Sequence, residues 1–298
     1  MWFSPWLMSS RPSSWLPSRT NVVTISELLQ RSSELTASDS AVLDTELLLS
    51  HVLDVSRTYL KTWPDRQPDT DQVNTFAVLF QRRLRGEPIA YILGHQGFWS
   101  LDLKVSEHTL IPRPETELLV ETALELQLPP QSSVLDLGTG TGAIALALAC
   151  ERRDWNITAL DFQPQAVALA EENRAAHKLD NVQIVQSNWF AALPAVKFDL
   201  IVSNPPYIEK NDPHLSQGDV RFEPASALVS GAEGLDDLIL LISQSVAFLK
   251  PNGWLLVEHG YDQGPGVRAL FTEAGFSAIE TRNDYNQMDR ITFGQLRQ

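Results

Sequence analysis

The chain has a single cysteine, Cys150, so no disulfide can close within it and no cysteine-built metal site is available, which suits a reducing compartment. Long apolar runs are also missing. No stretch approaches the roughly 20 apolar residues of a membrane span. Near the N-terminus the longest apolar run is Trp6-Leu7-Met8, too short for the roughly 7–15 residues of a secretory signal. A cytoplasmic protein without a membrane partner is therefore expected. Positive charge is scarce, with 23 Lys and Arg against 37 Asp and Glu and a net charge of −14. Non-specific nucleic-acid binding needs a surplus of Lys and Arg to release phosphate counterions, so a direct nucleic-acid substrate is not expected. His95, His108, His177 and His214 fall into no metal-ligand spacing. They are assigned to structure or surface, and no metal site is expected.

What is present is enough apolar residue, 43% of 298, for two cores. Residues 1–20 combine three tryptophans, three prolines and several serines with Arg11 and Arg19 and no acid. That composition predicts a disordered or non-native extension, and Pro5, Pro12 and Pro17 oppose the amphipathic helix of a transit peptide. Residues 21–88 are expected to form a helical domain. Leu28, Leu35, Leu48 and Val52 recur at helical steps, Thr24 with Glu27 and Ser40 with Asp44 suggest helix starts, and a further helix is predicted from Asp71 to Arg85. Residues 89–110 are expected to be a β-hairpin linker, because Trp99, Leu101, Leu103 and Val105 alternate with polar residues. From residue 111 to 298, strands around Val134-Leu135-Asp136-Leu137, Ile157 to Leu160, Val182 to Val185, Asp199 to Val202 and Trp254 to Val257 alternate with helical segments. That order predicts an α/β domain with a mostly parallel sheet, closed by two antiparallel strands near Ala278-Ile279 and Arg290 to Phe293.

Two loops carry chemistry. Asp136-Leu137-Gly138-Thr139-Gly140-Thr141-Gly142 lies where a strand becomes a helix. Glycines there permit a tight turn and close ligand approach, and the helix start offers free N–H groups. Gly138, Gly140 and Ala143 also satisfy the relaxed dinucleotide pattern, so a nicotinamide oxidoreductase or a non-catalytic nucleotide-binding module stays open on this loop alone. Asp161, ending the next strand, is placed to accept from ribose hydroxyls in either case.

The second loop, Asn204-Pro205-Pro206-Tyr207, follows an apolar strand at the same sheet edge. Two prolines fix φ and remove two N–H donors, and Pro205 pushes Asn204 into an extended conformation. The Asn204 side-chain oxygen and the Pro205 carbonyl are then stiff acceptors for a planar NH₂ group, with Tyr207 expected to wall the pocket. Such positioning orients a poor amide nucleophile toward a methyl donor and stabilises charge developing on nitrogen. By geometry, a protein glutamine and a nucleobase amine pose the same problem.

The chain resembles the HemK/PrmC family of release factor N5-glutamine methyltransferases from about Thr24 onward. The likeness lies in Phe98-Trp99, Ile111-Pro112-Arg113-Pro114-Glu115-Thr116-Glu117, Asp136 to Gly142, Asn204 to Tyr207, Asp212 to Leu215 and Gly218 to Pro224. The resemblance implies a seven-stranded class I, Rossmann-like methyltransferase domain behind an N-terminal helical bundle. It implies S-adenosylmethionine as cofactor, bound by Gly138, Thr139, Gly140, Thr141, Gly142, Asp161, Trp189 and Asn204. It also implies that Asn204, Pro205, Pro206 and Tyr207 hold the glutamine of the Gly-Gly-Gln motif of class 1 peptide chain release factors, with Asn204, Pro205 and Tyr207 the catalytic group. Asn188 stands where relatives often carry Asp, and its amide oxygen still accepts. Arg113, Arg221 and Glu223 are expected either to anchor the substrate or to pair with one another. A glutamine in a ribosomal protein is the nearest competing substrate, and a nucleic-acid amine the next.

Overall fold

The computed structural model describes residues 23–297, so the extension expected over residues 1–20 lies outside the described residues. Contacts divide the chain into two compact units that meet at Leu93 and Gly94.

The first unit is helical: α1 (Ile25–Gln30), α2 (Ala41–Leu53), α3 (Arg57–Thr62), α4 (Thr70–Leu84) and α5 (Ile89–Leu93). Thr24 and Glu27 form the anticipated reciprocal cap on α1. Leu28, Leu48, Phe76 and Phe80 pack into its core. Ser40 does not cap the backbone of α2. Its hydroxyl donates to Asp44 Oδ1 at 2.8 Å, and the buried Asp44 also takes Arg83 Nε at 2.7 Å. A paired carboxylate thus occupies a position that an apolar pattern would leave outside. Residues 89–93, expected to be extended, are helical, because Ile92 joins the apolar core of this unit.

The second unit begins with the hairpin β1 (His95–Phe98) and β2 (Leu101–Lys104), turned by Trp99 at φ 56°. A 3₁₀ turn (Pro114–Thr116) leads into α6 (Glu117–Glu125). There follow β3 (Ser133–Leu137), α7 (Ala143–Glu151), β4 (Asn156–Asp161), α8 (Pro164–Ala176), β5 (Val182–Gln186) and β6 (Phe198–Ser203). The chain ends with α9 (Asp236–Phe248), β7 (Leu249–Glu258), α10 (Gly264–Glu273), β8 (Phe276–Asn283) and β9 (Asp289–Leu296).

Strands β3 to β9 form one sheet in the order β5-β4-β3-β6-β7-β9-β8. Only β9 runs against the direction of the other strands, and the expected antiparallel pair of the last two strands closes the edge of the sheet, with β9 inserted beside β7 and β8 outermost. Period-two alternation divides the core between the two faces. Val134, Leu200, Val202 and Leu256 pack with α6 and α7, while Leu135, Leu137, Ile201, Leu255 and Val257 pack in the cluster that includes α9 and α10. Residues 143–149 of α7 are all buried, as their small side chains require. The hairpin is fastened within this unit: Trp99 Nε1 donates to Glu151 at 2.7 Å, and Asn173 bridges Lys104 to the Thr141 carbonyl.

The sheet order places the site. The chain runs outward from β3 through β4 to β5, then returns to the other side of β3 with β6. At such a reversal the connections leaving β3 and β6 diverge and open a crevice at the carboxyl ends of the strands.

Candidate active site

A cavity of about 380 Å³ occupies that crevice. It is lined by Gly138 to Thr141, Asp161, Trp189, Asn204 and Pro206, together with Thr109, Arg113 and Thr116 from the segment before α6. Four strand ends contribute: β3 the glycine loop, β4 Asp161, β5 the turn carrying Asn188 and Trp189, and β6 Asn204. The loops from β3 and β6 are tied directly, since Ser203 Oγ donates to the Leu137 carbonyl at 2.7 Å.

The glycine loop is shaped by backbone. Gly138, Gly140 and Gly142 have φ of 73°, 56° and 87°, the left-handed region that costs a side-chain-bearing residue about 1–2 kcal/mol. A Cβ on Gly142 would also meet Leu146 Cδ1 at 2.9 Å. Beneath the loop the fully buried Asp136 uses one oxygen, Oδ2, to accept from Thr139 Oγ1 at 2.6 Å and Ala145 N at 3.2 Å, while Oδ1 has no partner. Burial pushes its carboxyl up to about 7, against the opposing pull of those two bonds. Asp161 accepts from Gly140 N and Gln163 N, each at 2.9 Å, and burial raises its pKa against those bonds. A carboxylate offers about four acceptor positions, so Asp161 retains capacity for hydroxyl donors. The Trp189 ring lies over Gly138, where an added Cβ would come within 3.4 Å of Cζ3.

The Asn204 loop is held by side chains. Asn204 Nδ2 donates to Thr116 Oγ1 at 3.1 Å, and Tyr207 Oη donates to Glu258 Oε1 at 3.1 Å. The second Glu258 oxygen, Oε2, is buried without a hydrogen-bond partner. Burial pushes the Glu258 carboxyl up to about 7, with Thr116, Arg290 and Tyr207 opposing and Glu115 adding to the rise. Burial and the Glu258 charge raise the Tyr207 phenol, so it stays protonated and is no general base. Downstream, Gln263 Nε2 donates to the Tyr207 carbonyl at 3.1 Å, and Ile208 bridges to Val229.

Of the residues anticipated at the site, Gly138, Thr139, Gly140, Thr141, Asp161, Trp189, Asn204 and Pro206 line the cavity. Gly142, Pro205 and Tyr207 do not. Gly142 caps α7, and Pro205 is buried. Tyr207 turns its hydroxyl to Glu258 instead of walling the cavity. Arg113 and Glu223 do pair, Nη2 to Oε2 at 2.7 Å, with the Glu223 side chain wholly buried, so this is no surface ion pair. His108, assigned to surface or structure, is exposed and also lines the cavity. Sequence reasoning passed over Thr116 and Glu258. Glu258 had a signal, an acid closing the apolar run Leu255-Leu256-Val257 at the same sheet edge. Thr116 stood inside a quoted motif with no role attached.

Residues 114–232 match the family model "Methyltransferase small domain", and residues 27–94 match "PrmC N-terminal domain". The release factor glutamine methyltransferase of Pseudomonas aeruginosa is 55% identical over 92% of this chain and 99% of its own length. That of Escherichia coli is 50% identical over 89% of this chain and 96% of its own. The chain belongs to the release factor glutamine methyltransferase family. A solved methyltransferase from Pyrococcus furiosus shares the fold, with a TM-score of 0.53 at 16% identity over 74% of this chain and all of its own. The chain is thus a methyltransferase with S-adenosylmethionine as its cofactor. The site fits that molecule. The left-handed glycines admit it closely, Asp161 has spare acceptor capacity, and Trp189 offers an apolar wall in a cavity of suitable size. No helix among the described residues is long and apolar enough to cross a membrane.

Proposed function

We propose that this chain methylates the side-chain amide nitrogen (N5) of the glutamine in the Gly-Gly-Gln motif of class 1 release factors, in the cytoplasm. Gly138 to Gly142, Asp161 and Trp189 hold S-adenosylmethionine, which supplies, when bound, an electrophilic methyl on a sulfonium. Asn204, Pro205, Pro206 and Tyr207 form the glutamine subsite. The observation that carries this reading is the Asn204–Thr116 hydrogen bond. With its NH₂ end committed to Thr116, Asn204 has its carbonyl end left to accept from a substrate NH₂ group. The Pro205 carbonyl supplies the second acceptor, since it belongs to the peptide bond leading into Pro206, which lines the cavity. Two acceptors on one amide fix its plane, and orientation of this kind contributes as much as about 10²-fold or more to rate. Tyr207, anchored on Glu258, keeps the loop in place and does not remove a proton.

The test is transfer of labelled methyl from S-adenosylmethionine to purified release factor, ribosomal proteins and DNA, offered separately. Label on release factor, lost when its Gly-Gly-Gln glutamine is replaced by alanine, is the expected result. Label only on ribosomal protein or only on DNA would reject the assignment.

A further inference from the structure

The side-chain amide of Gln263 joins three segments at the carboxyl edge of the sheet. Gln263 stands in the turn between β7 and α10, and its backbone N–H closes that turn on the Gly260 carbonyl at 3.1 Å. Its side-chain Oε1 accepts from Gly260 N at 2.8 Å, which roots the amide. Its Nε2 donates to the Tyr207 carbonyl at 3.1 Å and to the Gly234 carbonyl at 3.3 Å. Tyr207 ends the Asn204 loop, and Gly234 ends the strap of residues 208–234 that leaves it and returns. Ile208 N to the Leu228 carbonyl at 2.8 Å and Ser230 N to the Ile208 carbonyl at 3.0 Å draw that strap closed. Its Ser226 and Ala227 line the cavity. We propose that Gln263 is a positioning residue that clamps the Tyr207 end of the Asn204 loop against this strap, and so fixes the Pro205 carbonyl and the substrate side of the cavity together. This rests on the glutamine-holding role given to Asn204 to Tyr207 above and deepens it.

Polarity and space both support the clamp. Only one of the two flipped states of the Gln263 amide serves all three partners, because Gly260 offers an N–H and the other two offer carbonyls. Gly234 makes room for the approach. Its φ is 70°, and a Cβ there would stand 2.3 Å from the Tyr207 carbonyl oxygen and 2.9 Å from Gln263 Nε2. Strap and loop therefore meet at a distance that a glycine permits, and Gln263 bonds both. The effect reaches the reacting loop through Pro206. The Glu258 bond holds the Tyr207 phenol, and the Gln263 bond holds its backbone. Because the Pro206 ring fixes φ, a held Tyr207 backbone leaves little freedom to the peptide plane that carries the Pro205 carbonyl. None of the three partners belongs to the cofactor half of the cavity, Gly138 to Thr141 with Asp161 and Trp189.

Two variants of similar size separate a hydrogen-bond donor from a filler of space. Gln263→Met keeps the length and removes the bonds. Gln263→Glu keeps the shape and the acceptor for Gly260 but turns a carboxylate oxygen toward two carbonyls. At about pH 8.5, where a glutamate is ionised, Gln263→Met is expected to lower kcat on release factor about tenfold and Gln263→Glu about 10²-fold. Cofactor Kd by calorimetry should stay within about twofold of wild type in both, which also shows that they fold. A side chain that only filled space would give the opposite order, with the isosteric glutamate the milder change. Wild-type kcat in either variant, Gln263→Glu more active than Gln263→Met, or cofactor affinity falling as far as kcat would overturn the proposal. A second readout needs neither substrate nor variant. In wild-type protein labelled with ¹⁵N-glutamine, the Gln263 NH₂ protons, assigned through bonds from their own backbone, should exchange with water about tenfold or more slowly than those of the exposed Gln287. Exchange at the Gln287 rate would also overturn it. Failure of the wild-type enzyme to label release factor would reject the glutamine assignment instead, and the exchange rates would still decide the clamp.

Discussion

The glycine loop after β3 and the Asn204 loop after β6 leave neighbouring strands, yet they are held in opposite ways. Each stands over a buried carboxylate, Asp136 or Glu258, that burial raises to about 7. Asp136 grips partners close in sequence, Thr139 and Ala145, three and nine residues away. Glu258 grips Tyr207, 51 residues away, and Thr116, from another segment, holds Asn204 across 88 residues. One loop is shaped by its own backbone with several parallel supports. The other depends on single side-chain bonds to distant segments. Parallel supports tolerate the loss of one member, whereas a loop tied by single distant bonds has none in reserve.

Asn204→Ala tests the second loop at its reacting end and should have the largest effect. Loss of an acceptor that acts on the reacting group is expected to lower kcat by about 10²–10³-fold while thermal stability stays near wild type. A release factor methylation assay at saturating cofactor checks it, and activity within tenfold of wild type would contradict the role. Gly142→Ala strains the parallel system instead. Its left-handed φ of 87° and the Leu146 contact predict a loss of about 1–2 kcal/mol, read as a lower urea midpoint. Cofactor binding weaker by about tenfold should accompany it, and kcat at saturation should fall much less. A larger fall in kcat than in cofactor affinity would break the distinction between the loops.

The smallest effect concerns pH. The folded-state pKa of Asp136 lies near 7, above its ordinary value of 3.8. Folding therefore favours the protonated form. The associated stability is fully present below about pH 3.8 and is lost as pH rises through 7. Asp136→Asn keeps one acceptor oxygen for Thr139 and Ala145 and does not titrate. Its Tm relative to wild type should climb by a few degrees between pH 5 and 8. Parallel Tm profiles over that range would show that Asp136 does not titrate there.

The same contrast explains what was legible in the sequence. Gly138 to Gly142 follow an apolar strand and open a helix, so loop, element and ligand class are written within ten residues. Asn204 to Tyr207 announced stiff acceptors for the same local reason. The Thr24–Glu27 cap and the alternation of strands and helices were equally local. Thr116 and Glu258 were not readable as supports of the Asn204 loop, because their bonds to Asn204 and Tyr207 depend on β7 lying beside β6 and on the turn before α6 returning over the sheet edge. Tyr207 was misplaced as a pocket wall for this reason: its hydroxyl partner lies on a strand whose position no nearby residue encodes. The placement of β9 was equally hidden. Residues 276–296 read as two adjacent strands, and which of them meets β7 is decided by packing of Ile291 and Phe293 into the core.

That placement of β9 also imposes an order in time. As the chain is synthesised, residues 133–203 supply β3 to β6 with both loops, and their strands pair among themselves. Strand β7, with Glu258 at its end, has only one neighbour until Asp289–Leu296 emerges and closes its other side. An open strand edge invites pairing with other chains. The cradle for the cofactor can therefore exist before the Glu258 anchor of Tyr207 is complete, and the last strand to be made is the one that steadies that anchor.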